Sequence, residues 1–68
     1  MTNDDRIACA RALNDAAERA TKSRDFVSRA RTDSGLMAVP LLLDAVRELS
    51  RAHEQLLSAV GILLENAS

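Results

Sequence analysis

Residues 38–64 read AVPLLLDAVRELSRAHEQLLSAVGILL, and their periodicity decides the fold. Val39, Leu42, Val46, Leu49, His53, Leu56, Val60 and Leu63 recur at alternating steps of three and four, the a and d positions of an unbroken heptad repeat. Each a position is preceded by an alanine (Ala38, Ala45, Ala52, Ala59), and the d positions are followed at e by Leu43, Ser50, Leu57 and Leu64. At 100° per residue this apolar arc covers about 200° of a helix surface. One antiparallel neighbour buries a narrower seam than that. The segment is a helix that needs more than one partner.

Upstream, Cys9, Ala16, Ser23 and Ala30 recur every seven residues, interleaved with Leu13, Ala20 and Val27. Small side chains at that spacing let two backbones approach closely, the antiparallel arrangement of alanine-rich coils. Thr2 or Asn3 can accept hydrogen bonds from the free N–H groups of a first turn, and Asp4 and Asp5 suit the positive end of its dipole. Arg29 and Arg31 suit the negative end, and Gly35 can adopt the left-handed conformation that closes a helix. Pro40 fits a first helical position, where its missing N–H costs nothing. Helix 1 is expected over about residues 3–33, a turn over 34–39 and helix 2 over about 40–66. Each is roughly 40 Å long at 1.5 Å per residue. A connection this short makes them antiparallel neighbours. The fold class is all-α: one helical-hairpin domain over residues 1–68, expected to dimerise into a four-helix bundle. Asp15–Arg19, Glu18–Lys22 and Asp25–Arg29 are spaced as supportive i,i+4 pairs on a solvated face.

Length and composition point the same way. A chain of 68 residues and 7.4 kDa holds one small core, and domains under ~70–80 residues usually need a metal, disulfides or a partner subunit. One cysteine excludes an intramolecular disulfide, and one histidine beside it falls short of a structural zinc set. Oligomerisation or a bound partner is the remaining staple. Apolar content of 47% with net charge −1 argues against disorder. The longest uncharged runs, residues 34–43 and 55–64, are shorter than the ~18–20 residues that span a bilayer. Thr2, Asn3, Asp4 and Asp5 make a polar, acidic start where an export signal has a basic one. A cytoplasmic protein is expected, in keeping with a lone reduced thiol. Twelve alanines, ten leucines and eight arginines against one lysine suggest a GC-rich bacterial or phage genome.

Several residues admit more than one role. His53 lies near the middle of the apolar arc, one turn from Ser50, where hairpin register sets it near Ala20 and Ser23. It can form a buried polar layer that fixes register, as polar a-position residues do in coiled coils, or act as a pH-sensitive switch. As half of a Ser–His catalytic pair it lacks an orienting acid and an oxyanion loop. Cys9, on the small-residue stripe, reads as a packed thiol. Leu36, Met37, Val39 and Leu41 form an apolar cluster at the turn, suited to plug the hairpin end or to receive a partner. No phosphate loop, metal constellation or cofactor motif occurs, so no cofactor is expected.

Phe26 is the only aromatic residue, with Arg19, Lys22 and Arg29 around it on the wheel. It can cap the hairpin near Val46 and the loop under Arg and Lys stems. It can anchor a protein partner, or stack on an RNA base while the cations meet phosphate. In architecture, length and this lone basic-flanked Phe the chain resembles Rop, the small plasmid-encoded helical hairpin whose dimer binds paired RNA loops. That resemblance implies RNA binding by a hairpin dimer through Arg19, Lys22, Phe26 and Arg29. A pI near 5.7 opposes it, since nucleic-acid binders normally carry a marked basic excess. The sequence favours a non-enzymatic protein–protein interaction module: a homodimeric adaptor, assembly factor or inhibitor. Its dimer or partner interface is Leu42, Val46, Leu49, His53, Leu56, Leu57, Val60, Leu63 and Leu64.

Overall fold

The computed structural model describes residues 1–33 and 35–67. It is an antiparallel pair of helices, α1 (Asn3–Thr32) and α2 (Ala38–Ala67), packed side by side along their length. The observed ends lie within two residues of those expected.

A capping box starts α1. The Asp5 N–H donates to Thr2 Oγ1 at 3.1 Å, and the Thr2 N–H donates back to Asp5 Oδ2 at 3.4 Å. The Asn66 side-chain amide, from the far end of α2, also donates to Asp5 Oδ2. The Thr2 hydrogen bond first, and then Asn66, hold the Asp5 carboxyl below its ordinary value. The cap thus ties both chain ends together through one carboxylate.

The turn closes differently from the expected glycine cap. Among the described residues no glycine has positive φ. Asp33 ends α1 in extended conformation (φ −96°, ψ 120°), its N–H bonded to the Arg29 carbonyl. Its Oδ1 then accepts the Gly35 N–H at 2.9 Å. A side-chain turn of this kind takes the place of a left-handed residue. Pro40 occupies the third position of α2 rather than the first, still within the turn whose N–H groups have no intrahelical partner.

The seam is narrow. From α1 it buries Cys9, Ala12, Ala16, Ser23 and Ala30, and from α2 it buries Leu41, Ala45, Ala52 and Ala59. The seven-residue stripe of small side chains is the contact surface, with one correction. Between the stripe residues Ala12 is buried and Leu13 is 47% exposed, while Arg19, Ala20, Phe26 and Val27 are all half-buried. Polar contacts also cross between the helices. Arg19 Nη1 bonds the Glu48 carboxylate at 3.1 Å, and Ser23 Oγ donates to the Ala45 carbonyl at 2.9 Å. Both tie α1 to α2 near the middle of the seam. Cys9, Ala12 and Ala59 pack with Ile62 near the open end, so the thiol is a packed one.

Leu41 is the only large side chain in this buried set, and the molecule measures 50 × 16 × 11 Å. That is one layer of helix. The chain exposes 5175 Å², whereas a compact monomer of its mass exposes about 4,200 Å². Ala-on-Ala packing brings the helices close but removes little apolar surface from water, and hydrophobic stabilisation scales with that area.

Candidate functional site

Because α1 takes the alanine column of α2, the a, d and e columns turn outward together. Val39, Leu42, Leu43, Val46, Leu49, Leu56, Leu57, Val60, Leu63 and Leu64 are all 45% or more exposed. Ser50 and His53 are exposed among them. The apolar face therefore runs from the turn to the last turn of α2 without a charged residue on these three columns. Monomeric proteins rarely expose a contiguous apolar stripe of this extent.

Where this face meets α1 it forms a groove of about 830 Å³. Leu13, Ala16, Ala17 and Ala20 line it from α1, and Val46, Leu49, His53 and Leu56 from α2. The alanines carry only methyl groups and so leave its floor open. Sequence reasoning misses this groove: periodicity places Leu13 in the seam, whereas it stands 47% exposed on the groove wall.

The expected interface residues all share this face. His53 sits on it, exposed in the hairpin, and Ala20 lines the same groove. Ser23 does not join them, because its hydroxyl is committed to the Ala45 carbonyl inside the seam. The turn cluster does not form a plug either. Leu36 is 95% exposed, Met37 and Val39 are exposed, and Leu41 alone packs inward.

The basic face of α1 is electrostatically mixed. Arg19 is engaged by Glu48 at 3.1 Å and Asp15 at 3.7 Å, and the Glu48 carboxylate raises its pKa. Arg51 reaches the same Glu48 at 3.8 Å. Of the i,i+4 pairs expected on α1, Asp15–Arg19 forms, while Glu18–Lys22 and Asp25–Arg29 do not close within 4 Å. Phe26 is half-buried with the Arg29 guanidinium 5.6 Å from its ring centroid, a cation–π contact. It shares a surface depression with Lys22, Asp25 and Glu48. Val46 lines the apolar groove, whose lining does not include Phe26.

Among the described residues no group of three His, Cys, Asp or Glu side chains could hold a metal ion. No helix among them is long and apolar enough to cross a membrane. Compared with protein families, curated proteins and solved structures, the chain matches none.

Proposed function

We propose that this chain is a non-enzymatic protein–protein interaction module that docks through the exposed face of α2 and works as a hairpin dimer, a small cytoplasmic adaptor, assembly factor or inhibitor. One observation carries the reading: ten large apolar side chains stand exposed on three adjacent columns of a single helix. Packing a helix on this face resembles helix-in-groove recognition, in which i, i+3, i+4 and i+7 anchors enter an apolar trough. Pairing two such hairpins, α2 against α2, gives a four-helix bundle with the large side chains at its centre.

RNA binding through Arg19, Lys22, Phe26 and Arg29 is the competing function. Phosphate contacts release counterions, so such binding falls steeply between about 50 and 200 mM salt. Apolar burial is not screened by ions. Arg19 is already paired with two carboxylates, and Asp25 and Glu48 border Phe26. Changing Lys22 and Arg29 together to glutamine, which leaves the Arg19–Glu48 contact in place, is therefore expected to leave self-association nearly unchanged. Titration by fluorescence anisotropy against structured RNA, beside sedimentation, checks this. Wild-type binding to structured RNA below ~1 μM at physiological salt, far tighter than non-specific binding, would reverse the assignment if the glutamine variant lost it.

His53 supplies a second check. With His53 and Ser50 both buried on this face in the assembly, replacing them together (His53→Leu with Ser50→Ala) is expected to keep or raise thermal stability, because apolar substitution of a whole buried polar pair is often neutral or stabilising. The cost falls on uniqueness of register, which light scattering reads as a broader mass distribution. Loss of folding in the His53→Leu, Ser50→Ala variant at neutral pH would contradict it.

A further inference from the structure

Resting on the reading of α2 as a docking helix, we propose that the occupant of its face is a second copy of this chain, antiparallel to the first and related by a two-fold axis crossing α2 near Arg51, with the a and e columns interleaved. In that register Val46 meets Leu57 of the second copy, Leu43 meets Val60, and Ser50 meets His53. Two-fold symmetry makes every contact occur twice, once in each direction.

Area supports a second copy. Two separate hairpins each expose 5175 Å², and a compact protein of twice the mass would bury roughly 3,400 Å² of their sum. Obligate homodimers bury ~2,000–5,000 Å².

Three independent features of α2 select this register. Ser50 and His53 are the only polar residues of the a and e columns, and here they face each other, a hydroxyl against an imidazole. A slip of one heptad either way sets both against valine or leucine, burying two polar groups without partners. The adjoining b column carries two charges, Arg47 and Glu54. This register brings Arg47 of each copy to Glu54 of the other, whereas a parallel pairing would set this charged column against the leucines of the d column. In the hairpin itself Glu54 makes no ion pair among the described residues, and Arg47 has only an exposed contact with Asp44 at 3.5 Å. Rim charges of this kind set the orientation of paired helices.

The third feature is Gly61, also on the b column. A glycine inside a helix costs about 1 kcal/mol relative to alanine, and nothing in the hairpin requires it, since a Cβ there would meet no atom within 4 Å. The proposed register places it opposite Pro40 of the second copy. A residue without a side chain at that point admits the close approach of the pyrrolidine ring.

The test is charge reversal followed by sedimentation equilibrium of the full chain. Arg47→Glu and Glu54→Arg should each weaken self-association about tenfold at low salt, since each turns two attractive rim pairs repulsive. The double variant should return to the wild-type dissociation constant, and so should an equimolar mixture of the two single variants, which restores both pairs between unlike chains. Because the double variant also lacks the Arg47–Asp44 ion pair, its recovery would separate the rim pairs from that local one. Single variants that dimerise like the wild type would overturn the register while leaving the docking face intact. A wild-type chain that remains monomeric would overturn both.

Discussion

Leu56→Asp is expected to turn a folded dimer into a largely unfolded monomer. Leu56 is 45% exposed in the hairpin and lines the groove beside Leu13, so within one chain the substitution removes little buried area. Across an interface the outcome is different. Each copy loses ~1.5–3 kcal/mol of leucine burial, and each must place a carboxylate among leucines and valines, at an effective cost of several kcal/mol per ion. The dimer contains the residue twice. Because the hairpin seam holds one large buried side chain, separation of the copies leaves chains with too little buried area to offset ordering at roughly 1–2 kcal/mol per residue. Val60→Asp should behave in the same way. Sedimentation and far-ultraviolet circular dichroism together would show the mass halve and helicity fall. An aspartate variant that stays helical and cooperative as a monomer would mean that the alanine seam suffices.

Ala52→Leu attacks the other half of the fold and should be comparably damaging. Ala52 is 3% exposed at the middle of the seam. Additional methyl groups there have no free volume to enter, and forcing them in typically costs ~1–3 kcal/mol through displaced backbones. The alanine column is what permits close approach, so the displacement propagates to Ser23–Ala45 and Arg19–Glu48, whose hydrogen bonds are already 2.9 and 3.1 Å long. The control is Ala8→Leu, on an exposed position of α1, where the change should stay within about 0.5 kcal/mol. Chemical denaturation of both variants gives the comparison, and equal stabilities would show that the seam tolerates bulk.

The helices and their pairing are legible in the sequence because each rests on a local rule. Period and small-residue spacing mark the two helices, and Thr2 with Asp5 marks the first start. The end of α1 is harder, because two residues compete to close it. Gly35 offers a left-handed cap, but Asp33 can accept the Gly35 N–H through its own carboxylate, and that bond makes positive φ unnecessary. The facing column of α1 is not legible from apolarity. Leu13 is more apolar than Ala12, yet Ala12 is buried and Leu13 is 47% exposed, while Arg19 and Ser23 reach the Glu48 carboxylate and the Ala45 carbonyl on α2. Long-range polar contacts of this kind leave no periodic trace.

The apolar face of α2 shows the opposite case. Its width in the sequence already requires a second partner, and the structure leaves that whole face uncovered. Phe26 and its cations read as one basic cluster along the sequence. In space the acids Asp15 and Glu48 close on Arg19, and the cluster is divided.

The central claim is that α2 closes its apolar face by self-association. Sedimentation equilibrium of the wild-type protein from low to high micromolar concentration tests it most directly. A mass of twice 7.4 kDa is expected, with helicity that falls only as dilution dissociates the dimer, because folding and assembly are then one equilibrium. A single species of 7.4 kDa, helical and cooperatively folded at every concentration, would contradict it.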